Sequence, residues 1–275
     1  MEISAVRAAY FSPTATTKKI VSAIAEAIAQ TLGVPLSYHD FTLPEARKAP
    51  LSFAAGDLCI VGCPVYAGRV PNLMSPYIAS MGGNGAAAVP VVLYGHRSFD
   101  DGLMDLRNLL EDGGFRTMAG GAFLGEHSFG AVLAASRPDD TDIAIAETFA
   151  SDICQKLSGY DDKAAHTPIF VAGNDPVGPF FRPTGPNGEF IDIRKVRPDT
   201  LDSCTDCGFC AAHCPLGSIV KEEPRTVSGI CIKCNACVKG CPTGSKVFTD
   251  PTYLFHRDDI FARYGGKRKE PTLFL

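Results

Sequence analysis

The 275-residue sequence has no tryptophan, so aromatic contact with a bound ring would fall to its 8 tyrosines or 17 phenylalanines. No apolar run approaches the ~20 residues needed to span a bilayer. The first residues, Met1-Glu2-Ile3-Ser4, carry neither the basic nor the apolar region of an export signal. A cytoplasmic location is the expectation. Positive charge is not in excess: the formal net charge is −4, and no basic stripe interleaves with aromatics, which argues against a nucleic-acid partner. A nicotinamide fingerprint is missing as well. Gly82-Gly83-Asn84-Gly85 follows a predicted helix and precedes a predicted strand, the reverse of the order a dinucleotide loop needs. Direct hydride transfer from NAD(P)H is therefore not expected.

Cysteine is what the chain has in quantity. Of 11 cysteines, eight lie in two copies of C-x-x-C-x-x-C-x-x-x-C-P: Cys204, Cys207, Cys210 and Cys214-Pro215, then Cys231, Cys234, Cys237 and Cys241-Pro242. Such short spacings let successive thiolates point into one cavity from a tight loop, and each proline, with φ already set, turns the chain out of it. Gly208, Ala211 and Ala236 between them let the backbone wrap closely and offer N–H donors to sulfur. Two other uses of cysteine compete. A disulfide framework belongs to a secreted chain, and zinc normally takes four ligands from two C-x-x-C pairs, not two triplets each with a trailing Cys-Pro. The run resembles that of bacterial ferredoxins, in which three cysteines of one run bind one [4Fe–4S] cluster and the fourth binds the other. The resemblance implies one cluster on Cys204, Cys207, Cys210 and Cys241 and a second on Cys231, Cys234, Cys237 and Cys214, in an anaerobic cell. Cys59, Cys63 and Cys154 are most simply small core residues.

Upstream, an apolar run from Ile3 to Phe11 gives way to Ser12-Pro13-Thr14-Ala15-Thr16-Thr17. Val21, Ile24, Ile28 and Leu32 follow at helical spacing, up to a C-cap at Gly33. Hydroxyls and free N–H groups at a helix N-terminus form an anion site; the bland alternative is an N-cap with nothing bound. Further strands are expected over 34–41, 57–63, 88–94 and 117–124, and helices near 70–81, 102–112 and 141–157. Strands alternating with helices imply a parallel sheet covered on both faces, with ligands beyond the carboxyl ends of the strands. Three loops stand there: 12–17, 64–71 and 94–101.

These loops resemble those of a flavodoxin-like FMN-binding domain, whose phosphate loop has the form S/T-x-T-G-x-T. Ser12, Thr14 and Thr17 match, and Ala15 stands in the glycine's place, where a residue with a Cβ tolerates positive φ poorly. The resemblance implies an α/β doubly wound sheet of five parallel strands. It also implies a phosphate held by Ser12, Thr14, Ala15, Thr16 and Thr17, and a flavin ring flanked by Pro64, Tyr66, Ala67 and Gly68 on one side and Tyr94, Gly95, His96 and Arg97 on the other. Tyr66 would cover a ring face. His127 is either a proton donor near the site or an ordinary loop histidine.

The expected organisation is a flavodoxin-like unit over 1–160, a Pro/Gly-rich linker over 161–199, a ferredoxin unit over 200–248 and a tail over 249–275. The whole resembles the flavodoxin/ferredoxin fusion proteins of anaerobes. That implies FMN and two [4Fe–4S] clusters passing electrons between redox-protein partners, a donor and an acceptor. A ferredoxin-dependent reductase acting on a small organic molecule is the second reading, and a ferredoxin with a flavin-free docking unit the third. No catalytic residue is assigned.

Overall fold

The computed structural model describes residues 1–160 and 165–275; the first positions of the expected linker, 161–164, lie outside the described residues. The chain runs β1 (Ala5–Tyr10), α1 (Thr16–Leu32), β2 (Leu36–Asp40), a 3-10 turn (Pro44–Arg47), β3 (Asp57–Pro64), α2 (Ser75–Ala79), β4 (Ala87–Tyr94), α3 (Gly102–Asp112), β5 (Arg116–Thr117), β6 (Gly120–Leu124) and α4 (Asp140–Ser158). It continues with β7 (Asp199–Thr200), α5 (Phe209–Ala212), α6 (Ala236–Lys239), β8 (Lys246–Val247), α7 (Pro251–Tyr264) and β9 (Thr272–Phe274).

Because side chains alternate along a strand, Val6, Ala8 and Tyr10 of β1 enter one apolar core while Ala9 and the adjoining Phe11 enter another. In β3, Leu58 and Ile60 face the first core, and Cys59, Val61 and Cys63 the second. Helices α1 and α4 cover the first core, and α2 and α3 the second. Parallel pairing sets the strand order β2-β1-β3-β4-β6. Counted along the main strands, this is the 2-1-3-4-5 order of a flavodoxin-like doubly wound sheet.

The sheet corrects the expectation of five parallel strands at two places. The stretch 117–124 is broken: β5 pairs with the start of β4, and β6 resumes after Met118 and Ala119, which are buried in the first core. The tail supplies the second change, since β9 pairs antiparallel with β6 and makes the sheet mixed. The helix expected over 70–81 is confined to Ser75–Ala79. Pro76 explains its start, because proline is tolerated only in the first helical turn.

Beyond α4 the chain crosses the α3 side of the sheet, burying Ile169 and Val171 in the second core. It then reaches the two cysteine runs, whose ends are joined by the β7–β8 pair. Helix α7 starts at Pro251, with Asp250 accepting from the N–H groups of Thr252 and Tyr253 at 2.9 and 3.0 Å. It buries Tyr253, His256 and Ile260 before the chain returns to β9.

Candidate functional site

The loop after β1 is built around its amides. Ser12 Oγ accepts from the Lys18 N–H at 2.9 Å, and Ser12 O from Ala15 N–H at 3.2 Å. The N–H groups of Thr14, Thr16 and Thr17 have no hydrogen-bond partner among the described residues. Ala15 holds φ 64°, the left-handed conformation natural to glycine, so the loop keeps the turn despite its Cβ. No acidic residue lies in the first turn of α1, which instead carries Lys18 and Lys19. Cations there oppose the helix dipole, and an anion in the cradle reverses that penalty. These donors fit a phosphate.

The loops after β3 and β4 stand at the same end of the parallel sheet as the first. Tyr66 and Arg69 exchange backbone hydrogen bonds (3.0 and 3.2 Å) across Ala67 and Gly68, whose φ of 51° and 80° give the double left-handed pattern of a tight hairpin turn. Gly68 O accepts from Asp101 N–H at 3.1 Å, and a side chain on Gly68 would run into Asp100. Pro64 ends β3. Tyr94 turns its ring into the second core, 5.5 Å from that of Phe99, and Gly95 lies against His127.

His96 is buried at φ 73°, and its ring points to the tail: Nδ1 faces Tyr264 O at 2.8 Å and Nε2 faces Lys267 O at 3.1 Å. Arg97 pairs with Asp100 and lies 4.4 Å over the Phe181 ring. His127 Nδ1 accepts from Phe129 N–H at 3.1 Å. Burial, then the nearby charges of Lys239, His256 and Arg97, bring its pKa down to about 4, so the imidazole is neutral.

The eleven cysteines are all free. Burial pushes the Cys59 and Cys63 thiols up, as befits core residues. The other eight surround two hollows. One is lined by Cys204, Cys207, Cys210 and Cys241, the other by Cys214, Cys231, Cys234 and Cys237. Each hollow thus takes three thiols from one run and the last from the other.

The two runs repeat in backbone detail. Left-handed residues fall at matching places: Asp206 and Lys233, Gly208 and Asn235, Gly217 and Gly244. The sulfurs of Cys204 and Cys231 accept from Asp206 and Lys233 N–H, each at 3.4 Å. Those of Cys214 and Cys241 accept from Ser218 and Ser245 N–H at 3.3 and 3.2 Å. Burial acts against the Cys241 thiolate, but the Thr243 hydroxyl and surrounding amides hold its pKa down to about 7. Burial and neighbouring cysteines push Cys234 and Cys237 up to about 12, a cost that a bound cation would relieve. Among the described residues, no three His, Cys, Asp or Glu side chains close on a point suited to a lone metal ion. Eight thiols around two hollows, with amides directed at four of the sulfurs, are the kind of donor set that an iron–sulfur cluster takes.

The second hollow lies against the sheet's loops. Arg47 reaches Pro215 O at 2.5 Å, and Lys239 donates to Glu126 Oε1 and His127 O at 2.7 and 2.8 Å. Leu216 and Ile232 pack on the second core. Tyr66 packs on the same core, and burial, then the thiols of Cys234, Cys63 and Cys231, raise its pKa. Phe181 N–H donates to Ala67 O at 2.8 Å, and Asp101 accepts from Asn174 and Gly178 N–H at 2.8 and 2.7 Å, strapping the segment after Val171 across the same loops. Sequence reasoning missed Arg47, Asp101 and Lys239. Each is an isolated charge whose partner lies far along the chain, so no local pattern marks it.

No protein-family model matches the chain, and no curated protein matches it. Among solved structures, it is similar to a flavodoxin from Streptococcus pneumoniae TIGR4 at 19% identity and TM-score 0.39, over 56% of this chain and 99% of that one. A flavodoxin from the domain Archaea matches at 18% identity and TM-score 0.40, over 57% and 99% of the two chains. The apo form of the NADH:FMN oxidoreductase EMOB matches at 17% identity and TM-score 0.42, over 59% and 94%.

Proposed function

We propose that this protein is an electron carrier that holds FMN at the loop over 12–17 and a [4Fe–4S] cluster in each four-thiol hollow, linking one-electron redox proteins to a two-electron flavin. The observation that carries the reading is the crossed make-up of the hollows, which is the pattern a two-cluster run requires. When bound, the clusters supply single-electron transfer and the flavin both one- and two-electron exchange.

The chain's own groups do the rest. The amides of Thr14, Thr16 and Thr17 and the Thr14 hydroxyl, with Lys18 beside them, hold the phosphate. The amides of Asp206, Ser218, Lys233 and Ser245 draw charge from thiolate sulfur. Leu216 and Ile232, which line the second hollow, pack on the core below the flavin loops together with Val65 and Tyr66, so the route runs from the first hollow through the second to the flavin. Exposed Cys207 puts the first hollow within reach of a redox-protein partner. The left-handed Ala15 favours this reading over a flavin-free one, because the amide cradle is formed in spite of it.

Anaerobic purification with chromophore release tests the proposal. The expected result is FMN together with iron and acid-labile sulfide; zinc without sulfide, or iron without flavin, would overturn it. Thr14→Ala should weaken FMN retention roughly tenfold, the effect of losing one hydrogen bond to a charged group, as read by equilibrium dialysis against free FMN.

A further inference from the structure

The two cysteine runs match closely in backbone but differ at a buried place beside the hollows. Ile219 and Lys246 follow the serines whose amides bond to Cys214 and Cys241, so they occupy corresponding positions in the repeat. Ile219 lines the second hollow and Lys246 the first. Lys246 is only 2% exposed, and its ammonium makes a single hydrogen bond, to Thr200 Oγ1 at 2.6 Å. A buried ammonium with one partner is costly unless anions lie near.

The Lys246 side chain stands in the wall of the first hollow with Cys204, Cys207, Cys210 and Cys241, whereas the second hollow has apolar Ile219 in that place. The other buried lysine, Lys233, gives its ammonium to Arg194 O and Cys231 O at 2.7 and 2.8 Å, and its field is felt at Cys231 of the second hollow. Asp206, the counterpart of Lys233, is exposed and paired with Arg225. Lys246 is therefore the buried cation in the wall of the first centre.

We infer that Lys246 is the counter-charge of the first four-thiol centre, raising its reduction potential relative to the second, where an apolar residue holds the same position. This rests on the cluster reading above. Each cluster gains one electron, and so one negative charge, when an external one-electron donor reduces it. A fixed cation in a low-dielectric interior favours the more negative state, most strongly at the nearer centre.

The test is an EPR-monitored titration of the cluster-loaded full chain with dithionite, with Cys214→Ala marking the signal of the second centre. Lys246→Gln keeps a donor for Thr200 and removes the charge. It should move the first midpoint to a more negative value, while Lys246→Arg keeps wild-type values and Lys233→Gln moves the second alone. Unmoved midpoints in Lys246→Gln, or a shift confined to the second centre, would overturn the inference. If Lys246→Gln loads poorly, Ile219→Lys decides: a rise of the second midpoint supports the role, and no rise rejects it. A wild-type protein lacking cluster signals would sink the cluster reading itself, whereas intact signals with unmoved midpoints would sink only the role of Lys246.

Discussion

Ala15 is an alanine doing a glycine's work. Its φ of 64° costs about 1–2 kcal/mol, while glycine would give back part of that through a freer unfolded chain. Ala15→Gly is expected to stabilise the flavin-free protein by about 1 kcal/mol, measured by urea unfolding, without loss of FMN retention. The buried histidines make a different demand. His127 titrates at about 4 because burial excludes its charged form, and His256 is lowered by the same cause. A histidine that charges less readily when folded leaves stability untouched above the unfolded value of about 6.5 and takes it away as pH falls from there toward 4. The expected result is an unfolding free energy that drops between pH 6.5 and 4, with a shallower drop in His127→Gln, as read by denaturant titration at several pH values.

Elements with a regular repeat were legible in the sequence. The apolar spacing of α1, its stop at Gly33, the apolar run of β3 and the limits of α3 all follow from side-chain pattern. Pattern failed where a single backbone constraint or a distant partner decides. Pro76 sets where α2 begins, and β9 is three residues long with its pairing supplied wholly by β6. The segment leading into β9 is held by charges invisible to periodicity. Arg137 is 5% exposed and forms an ion pair with fully buried Asp142, and it also donates to Lys269 O at 3.1 Å. Arg268 reaches Asp139 at 2.5 Å, half in solvent. Breaking the buried pair strands a carboxylate, so Arg137→Met should cost about 3–5 kcal/mol, whereas Arg268→Ala should cost no more than about 1 kcal/mol. Chemical denaturation of the two variants checks the contrast, and faster proteolysis between Gly265 and Pro271 should accompany the first.

At the scale of the molecule, the spacing of the cysteines announced a repeated unit, but not how it sits on the sheet. Of the residues read as flavin contacts, His96 sets both ring nitrogens against carbonyls of the tail, and Tyr66 packs at the edge of the second core with Leu216 and Ile232 of the cysteine region. The crossed hollows make the centres separable by mutation: Cys214→Ala should cost the second centre its iron and spare the first, as read by iron content and EPR. The tail has a larger meaning. A segment that begins beside Val171 and ends in β9 leaves the sheet-bearing body and returns to it. What reads in sequence as an appendage is therefore nested, an insertion bracketed by the body that carries it. One nick in the strap before Asp199 should leave a single particle with both halves in place, and the cysteine unit could not be lost by truncation without unzipping a strand from its neighbour's sheet.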